Sequence, residues 1–275
     1  MPRTRPPGRS DPGTYRSAAG TLAYELYRPA VLRRPPPLFV MLHGGSQSAA
    51  DFALGTRMNQ VADECGGLVL YPEQSRSAHP LGCWNWYDTK HQSADTGEPA
   101  LIAGLTREVI AAHDVDRDRV YVAGLSAGGA MALILGQAYP DLYAAVGVHS
   151  GLPSGVAHDV WSAMQAMREG PRSPAEGRSR CVGREPQAVS TIVFHGDRDQ
   201  TVHPSNGGAV LAQAVRDSAL RRSTRPSSGP AARAVTRISR RCRPGDDGAH
   251  GELWLVHGAG HAWAGGDRRG SFTDE

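Results

Sequence analysis

The stretch Val120-Tyr-Val-Ala-Gly-Leu-Ser-Ala-Gly-Gly-Ala130 decides how this 275-residue chain folds. A short β-branched run leads into Gly124-x-Ser126-x-Gly128, and small and apolar residues follow at once (Ala130, Met131, Ala132, Leu133, Ile134, Leu135). A strand that turns straight into a helix at a serine leaves no room for side chains two residues either side of it. The serine is forced into a strained backbone conformation, and its hydroxyl stands clear of the turn. Gly-x-Ser-x-Gly alone is a weak signal. Set between a strand pattern and a helix pattern, it is a strong one.

Outward from this turn, apolar runs alternate with helical patterns. Leu38-Phe-Val-Met-Leu42 is continuous and ends in His43-Gly44-Gly45, as a strand buried on both faces would. A helix is expected over residues 50–64 with Phe52, Met58 and Val61 inward, closed by Gly66 and Gly67. Strands follow at 68–71, 144–148 and 191–194, and a helix carries Leu101, Ile102, Leu105, Val109 and Ile110 at 3.6-residue spacing. Residues 206–220 read as a helix, and 234–238 could pair with 253–256 around a turn at 244–248. Thr21 to Tyr27 suits an edge strand. Residues 170–180 and 221–232 are polar, breaker-rich stretches, the first read as mobile and the second as a linker. The Pro- and Arg-rich residues 1–20 read as a disordered lead, and residues 21–275 as a single catalytic domain. The fold class expected is α/β, an α/β-hydrolase fold with a doubly wound, mainly parallel sheet and helices on both faces.

Composition narrows the function. Hydrophobic residues make up 40% of the chain, enough for a sizeable core, and net charge is +3. Lys90 is the only lysine, and the arginines are scattered or lie in loops without interleaved aromatics, which argues against a nucleic-acid partner. No apolar run reaches the ~18 residues of a membrane span. No apolar signal region follows the basic residues at the start. The four cysteines, Cys65, Cys83, Cys181 and Cys242, fit no zinc spacing.

A serine hydroxyl needs a base to take its proton and an acid to orient that base, and in this fold class they come in the order serine, acid, histidine. Asp199 in His195-Gly-Asp-Arg-Asp199 and His261 in Gly258-Ala-Gly-His261 supply that order. Asp197 lies closer to its strand and suits bonding to turn amides. The catalytic residues expected are therefore Ser126, Asp199 and His261. Ala127 and Gly45 are the expected oxyanion donors, with Gly44 and Ser46 as alternatives to Gly45. Trp84, Trp86 and Trp263 are expected to wall the substrate site. His43, His149, His195 and His257 read as structural histidines; a zinc site built from them is the minor alternative, and neither a metal nor a cofactor is expected.

Several stretches resemble the polyhydroxybutyrate-depolymerase family of esterases, which includes feruloyl and acetylxylan esterases. They are Leu42-His-Gly-Gly-Ser-Gln-Ser48, Tyr71-Pro-Glu-Gln-Ser75, Cys83-Trp-Asn-Trp86, the serine turn, His195–Asp199, His203-Pro-Ser-Asn206 and Gly258-Ala-Gly-His-Ala-Trp263. The resemblance implies the same triad and an ester of a hydroxyalkanoate, small or polymeric, with plant-wall esters as the alternative. A catalytically silent binding protein on the same scaffold is a third reading. It also implies an extracellular setting, with a cytoplasmic one as the alternative since no export signal is visible. Family members commonly carry cysteine where this chain has Gly45, so a bridge from there to Cys83 is impossible here. They also continue past Thr273-Asp274 into a closing helix, so this chain is expected to lack it and to have a less stable sheet edge.

Overall fold

The computed structural model describes residues 8–172, 189–214, 220–223, 235–241 and 250–274. Strands β1 (Arg9–Ser17), β2 (Gly20–Arg28) and β3 (Leu38–Leu42) precede helices α1 (Ala49–Thr56) and α2 (Met58–Cys65) and strand β4 (Leu68–Glu73). Helix α3 (Gly97–His113) leads to β5 (Val120–Leu125), α4 (Ala127–Ala138) and β6 (Ala145–His149). After these come α5 (Val160–Glu169), β7 (Ser190–Gly196), α6 (Ser205–Ala214), β8 (Leu220–Ser223), β9 (Val235–Arg241) and β10 (His250–Val256). Two short strands, β11 (Trp263–Ala264) and β12 (Thr273–Asp274), pair in parallel.

The first ten strands make one sheet in the order β1-β2-β4-β3-β5-β6-β7-β10-β9-β8. Six central strands from β4 to β10 are parallel, and antiparallel strands flank them on both sides. The chain winds outward from β3 to β4, then crosses back to β5 and winds the other way. Loops at the carboxyl ends of β3 and β5 therefore part company at this reversal, where a doubly wound sheet opens a crevice. Leu38, Val40, Leu42, Val120 and Val122 are buried there, and α4 packs against β5 and β6 with Ala130 to Leu135 all buried. A parallel sheet covered on both faces needs such unbroken apolar runs.

Five expectations need correction. Leu220–Ser223, expected as the end of the 206–220 helix and the start of the 221–232 linker, is strand β8 paired with β9. Arg9–Ser17 is a strand, not part of a disordered lead; Pro12 and Gly13 read as breakers, but an edge strand tolerates them because one side of it has no partner. Residues 1–7 lie outside the described residues. Because β1 covers β2, β2 is an interior strand, and Asp11 reaches across the pair to Arg28. The helix expected over 50–64 is two helices, split at Arg57 in the left-handed region (φ 58°), and the turn of the axis leaves Val61 exposed. Finally, α5 occupies a region where no helix was foreseen.

The pairing of β9 with β10 is as expected, with Ile238 opposite Leu253. The turn at 244–248 and most of the stretches at 170–180 and 221–232 fall outside the described residues.

Candidate active site

Ser126 sits between β5 and α4 at φ 56°, ψ −119°, a conformation that side chains rarely adopt. Its amide donates to the His149 carbonyl at 2.8 Å, pinning the turn to β6. The flanking glycines are required by their neighbours. A Cβ at Gly128 would lie 2.0 Å from the Leu42 carbonyl oxygen, and one at Gly124 would lie 2.4 Å from the Gly128 carbonyl carbon. The end of β3 thus runs directly against the turn.

His261 and Asp199 meet at the ends of β10 and β7. The imidazole Nδ1 lies 2.7 Å from Asp199 Oδ2. The other carboxylate oxygen, Oδ1, accepts from the Thr201 and Val202 amides at 2.9 and 2.8 Å. His195 Nε2 is 3.4 Å from Oδ2 and bonds the Val202 carbonyl at 2.9 Å. Burial alone would raise the carboxyl's pKa. The histidine and amide bonds outweigh it and hold Asp199 well below the usual carboxylate range. With Nδ1 donating to this carboxylate, Nε2 is left as the basic atom of His261.

Ser126 and His261 line one cavity of about 190 Å³, together with Gly44, Gly45 and Ala127. Its walls are otherwise largely apolar: Trp86, Leu125, Leu152, Met167 and Phe272. No side chain of the lining besides His261 can carry a positive charge, and none is a carboxylate. Among the three amides weighed for the second oxyanion donor, Gly44 donates to Gln47 Oε1 at 2.9 Å and Ser46 to the Leu81 carbonyl at 2.8 Å. Gly45 is the one left without a protein partner among the described residues. Gln47 also donates to the Ser271 carbonyl at 2.9 Å, so it ties this loop to the segment bearing Phe272.

The tryptophans divide. Trp86 lines the cavity. Trp84 does not: it is wholly buried, its indole nitrogen donating to the His43 carbonyl at 3.0 Å. Trp263 also lies off the cavity, stacked on His149 at 5.3 Å with Phe52 edge-on at 5.6 Å. Glu98 sets the aromatic loop by accepting from the Asn85 amide at 2.8 Å and its side chain at 2.6 Å. Among the cavity residues that escaped the sequence reading are Leu152, Met167 on α5, and Phe272, whose ring stands edge-on to His261 at 6.4 Å. None has a sequence signal, because each lies in a loop or in the unforeseen helix.

The remaining histidines hold loops. His43 Nε2 accepts from the Gln74 amide at 3.0 Å and Nδ1 donates to the Gly44 carbonyl at 2.8 Å. Asp197 bonds His257 Nδ1 at 2.8 Å and the Gly258 amide at 2.7 Å, so it bridges two loops rather than closing its own turn. This second aspartate–histidine pair ends on Thr236, at 2.8 Å from His257 Nε2, and is half exposed. The two pairs are alike in contact; the cavity with Ser126 belongs to only one of them.

Cys65 and Cys83 are free thiols, and Cys181 and Cys242 lie outside the described residues. Burial pushes the Cys83 thiol up to about 12. A Cβ at Gly45 would lie 3.7 Å from the Cys83 Cβ, inside the range of a disulfide. Gly45 has no positive φ, so a side chain there is unstrained. Gly45→Cys is expected to crosslink under an added thiol oxidant at alkaline pH, since the raised Cys83 thiol is slow to ionise. The loop spans 83 − 45 = 38 residues, for which chain entropy predicts up to about 4 kcal/mol, or a Tm higher by roughly 10 °C. Melting curves with and without dithiothreitol read this directly, and identical curves would show that the two positions do not face each other.

Residues 22–234 match the family described as Esterase PHB depolymerase. Poly(3-hydroxyalkanoate) depolymerase C of Paucimonas lemoignei is 30% identical over 199 residues, which cover 70% of this chain and 48% of that protein. Feruloyl esterase B of Thermothelomyces thermophilus is also 30% identical over 199 residues, covering 68% and 67%. Acetylxylan esterase A of Emericella nidulans is 28% identical, covering 67% and 64%. The chain spans about half the length of the depolymerase and about two thirds of the two esterases. In structure, an acetyl xylan esterase from Aspergillus awamori superposes with a TM-score of 0.73 over 92% of this chain and 94% of that one. At 18% identity that likeness is one of fold.

Proposed function

Since the chain belongs to the PHB-depolymerase esterase family, we propose that it hydrolyses carboxylic esters through an acyl-enzyme on Ser126, with His261 as base and Asp199 orienting it. Ser126 Oγ attacks the ester carbonyl while His261 Nε2 takes its proton. The negative charge that develops on the carbonyl oxygen is held by the Gly45 and Ala127 amides. His261 then gives the proton to the departing alkoxide, which leaves as an alcohol. A water, deprotonated in turn by His261, cleaves the acyl-enzyme and releases the acid. What supports this most is the 2.7 Å bond from His261 to an ionised, buried Asp199, with the same histidine sharing a cavity with a strained serine.

The substrate class follows from the walls. An apolar cavity without a charged side chain besides the catalytic base suits a neutral acyl group, and with the depolymerase relative it favours a hydroxyalkanoate ester, oligomeric or polymeric. The presence of two aromatic rings, Trp86 and Phe272, on the cavity wall favours a second reading, an aromatic acyl group such as ferulate. No described helix is long and apolar enough to cross a membrane, and the family resemblance supports an extracellular setting.

A fluorophosphonate probe tests the mechanism. The label is expected on the peptide bearing Ser126, with turnover of p-nitrophenyl butyrate falling in step with labelling. A protein that takes no label, or a labelled one that stays active, would overturn it. Hydroxybutyrate oligomers, methyl ferulate and acetylated xylan compared side by side decide between the substrate readings.

A further inference from the structure

Strand β6 ends on His149, a buried histidine that the reaction above does not use. It touches both halves of the site. Its carbonyl accepts the Ser126 amide at 2.8 Å, and its Nε2 accepts the Ala264 amide at 3.0 Å, three residues after His261. The ring stacks with Phe194 at 5.9 Å and with Trp263 at 5.3 Å. Nδ1 is 3.3 Å from the Ser150 hydroxyl.

Resting on the esterase reading, we propose that His149 is a positioning residue that sets the spacing of nucleophile and base by clasping the serine turn with its backbone and the histidine loop with its side chain. The tautomer is fixed by its partners. A backbone N–H can only donate, so Nε2 accepts and the proton sits on Nδ1. Burial supports this by pushing the ring's pKa down to about 3, which keeps Nε2 an acceptor at neutral pH.

The loop around His261 has other ties on its upstream side. Arg198 N donates to the Ala259 carbonyl at 3.0 Å and Gly258 N to Asp197 at 2.7 Å. Downstream, the Ala264 bond fastens it to the strand that also holds Ser126. The Ala264 register further carries β11 and its partner β12, and Trp263 N donates to the Phe272 carbonyl at 2.7 Å. One side chain thereby indexes His261 and the cavity residue Phe272 against the nucleophile. Reacting groups misplaced by about 1 Å lose on the order of 100-fold in rate.

The test compares acceptors of equal reach. His149→Phe keeps the stacked ring and removes the acceptor, whereas His149→Gln returns an oxygen close to the place of Nε2. With p-nitrophenyl butyrate, His149→Phe is expected to lower kcat by about 10- to 100-fold with KM within about twofold. His149→Gln should recover to within about fivefold of the parent, and fluorophosphonate labelling rates should follow kcat. Should His149→Phe not fold, His149→Asn, which satisfies Ser150 but stops short of Ala264, replaces it in the comparison. Equal kcat in His149→Phe and the parent would overturn the role. So would a loss confined to KM, or a glutamine variant as slow as the phenylalanine one. A parent protein that neither turns over the ester nor labels at Ser126 would instead remove the esterase reading, and this inference with it.

Discussion

Gly128→Ala is expected to remove a large part of the protein's stability. The added methyl would sit 2.0 Å from the Leu42 carbonyl oxygen and 2.5 Å from that of His43. Both atoms belong to backbone, and Leu42 is locked in register with Gly124 in the middle of the sheet. Relief would require β3 to move against β4 and β5 at once, or the serine turn to open. Overpacking of this kind exceeds the usual 1–3 kcal/mol, so a loss above about 4 kcal/mol is expected from a net stability of roughly 5–15. Soluble yield and thermal melting measure it. Gly208→Ala is the internal control: it lies on α6 with nothing within 4 Å of the new Cβ. Helix propensity there favours alanine by up to about 1 kcal/mol. A Gly128→Ala protein that melts within a few degrees of the parent would contradict the packing of the serine turn on β3.

The same contact explains why this part of the fold was legible. A turn that excludes side chains on both flanks writes itself into consecutive residues, and buried parallel strands such as Leu38-Phe-Val-Met-Leu42 write themselves as unbroken apolar runs. The pairing of aspartate and histidine also surfaced, because strand ends followed by Gly-rich loops mark the carboxyl edge of the sheet. What failed depends on neighbours far away in sequence. Pro12 and Gly13 look like breakers until an unpaired edge makes room for them. Arg57 gives no warning that it will take a left-handed conformation and split a helix. Trp84 and Trp86 are two residues apart in one loop, yet only Trp86 lines the cavity, since outside a strand no alternation rule assigns faces. Trp84 is placed by its indole N–H, which must find an acceptor once buried and finds His43. Phe272 reaches the cavity through the pairing of β12 with β11, a contact of two residues that no periodicity announces.

Asp199→Asn should lower kcat on p-nitrophenyl butyrate by about 10⁴-fold with KM little changed, a larger loss than removal of one hydrogen bond would give. The reason lies in the two oxygens. Oδ1 already accepts two backbone amides, from Thr201 and Val202, so the asparagine carbonyl must take that place. Its NH2 then faces His261 Nδ1, donor against donor. The imidazole escapes by moving its proton to Nε2, where it can no longer accept the proton of Ser126. Stability gives an independent reading. Asp199 has a folded pKa below its unfolded value near 3.9, so its contribution is present above that pH and is lost as the pH falls below it. The parent's Tm should therefore fall between pH 5 and pH 3 more steeply than that of Asp199→Asn, which has no proton to gain. Asp197→Asn should keep kcat within about twofold, because its histidine ends on Thr236 outside the cavity. If steady-state kinetics reverse the two, with Asp197→Asn slow and Asp199→Asn fast, then the exposed pair drives the chemistry and the buried carboxylate serves only to close its loop.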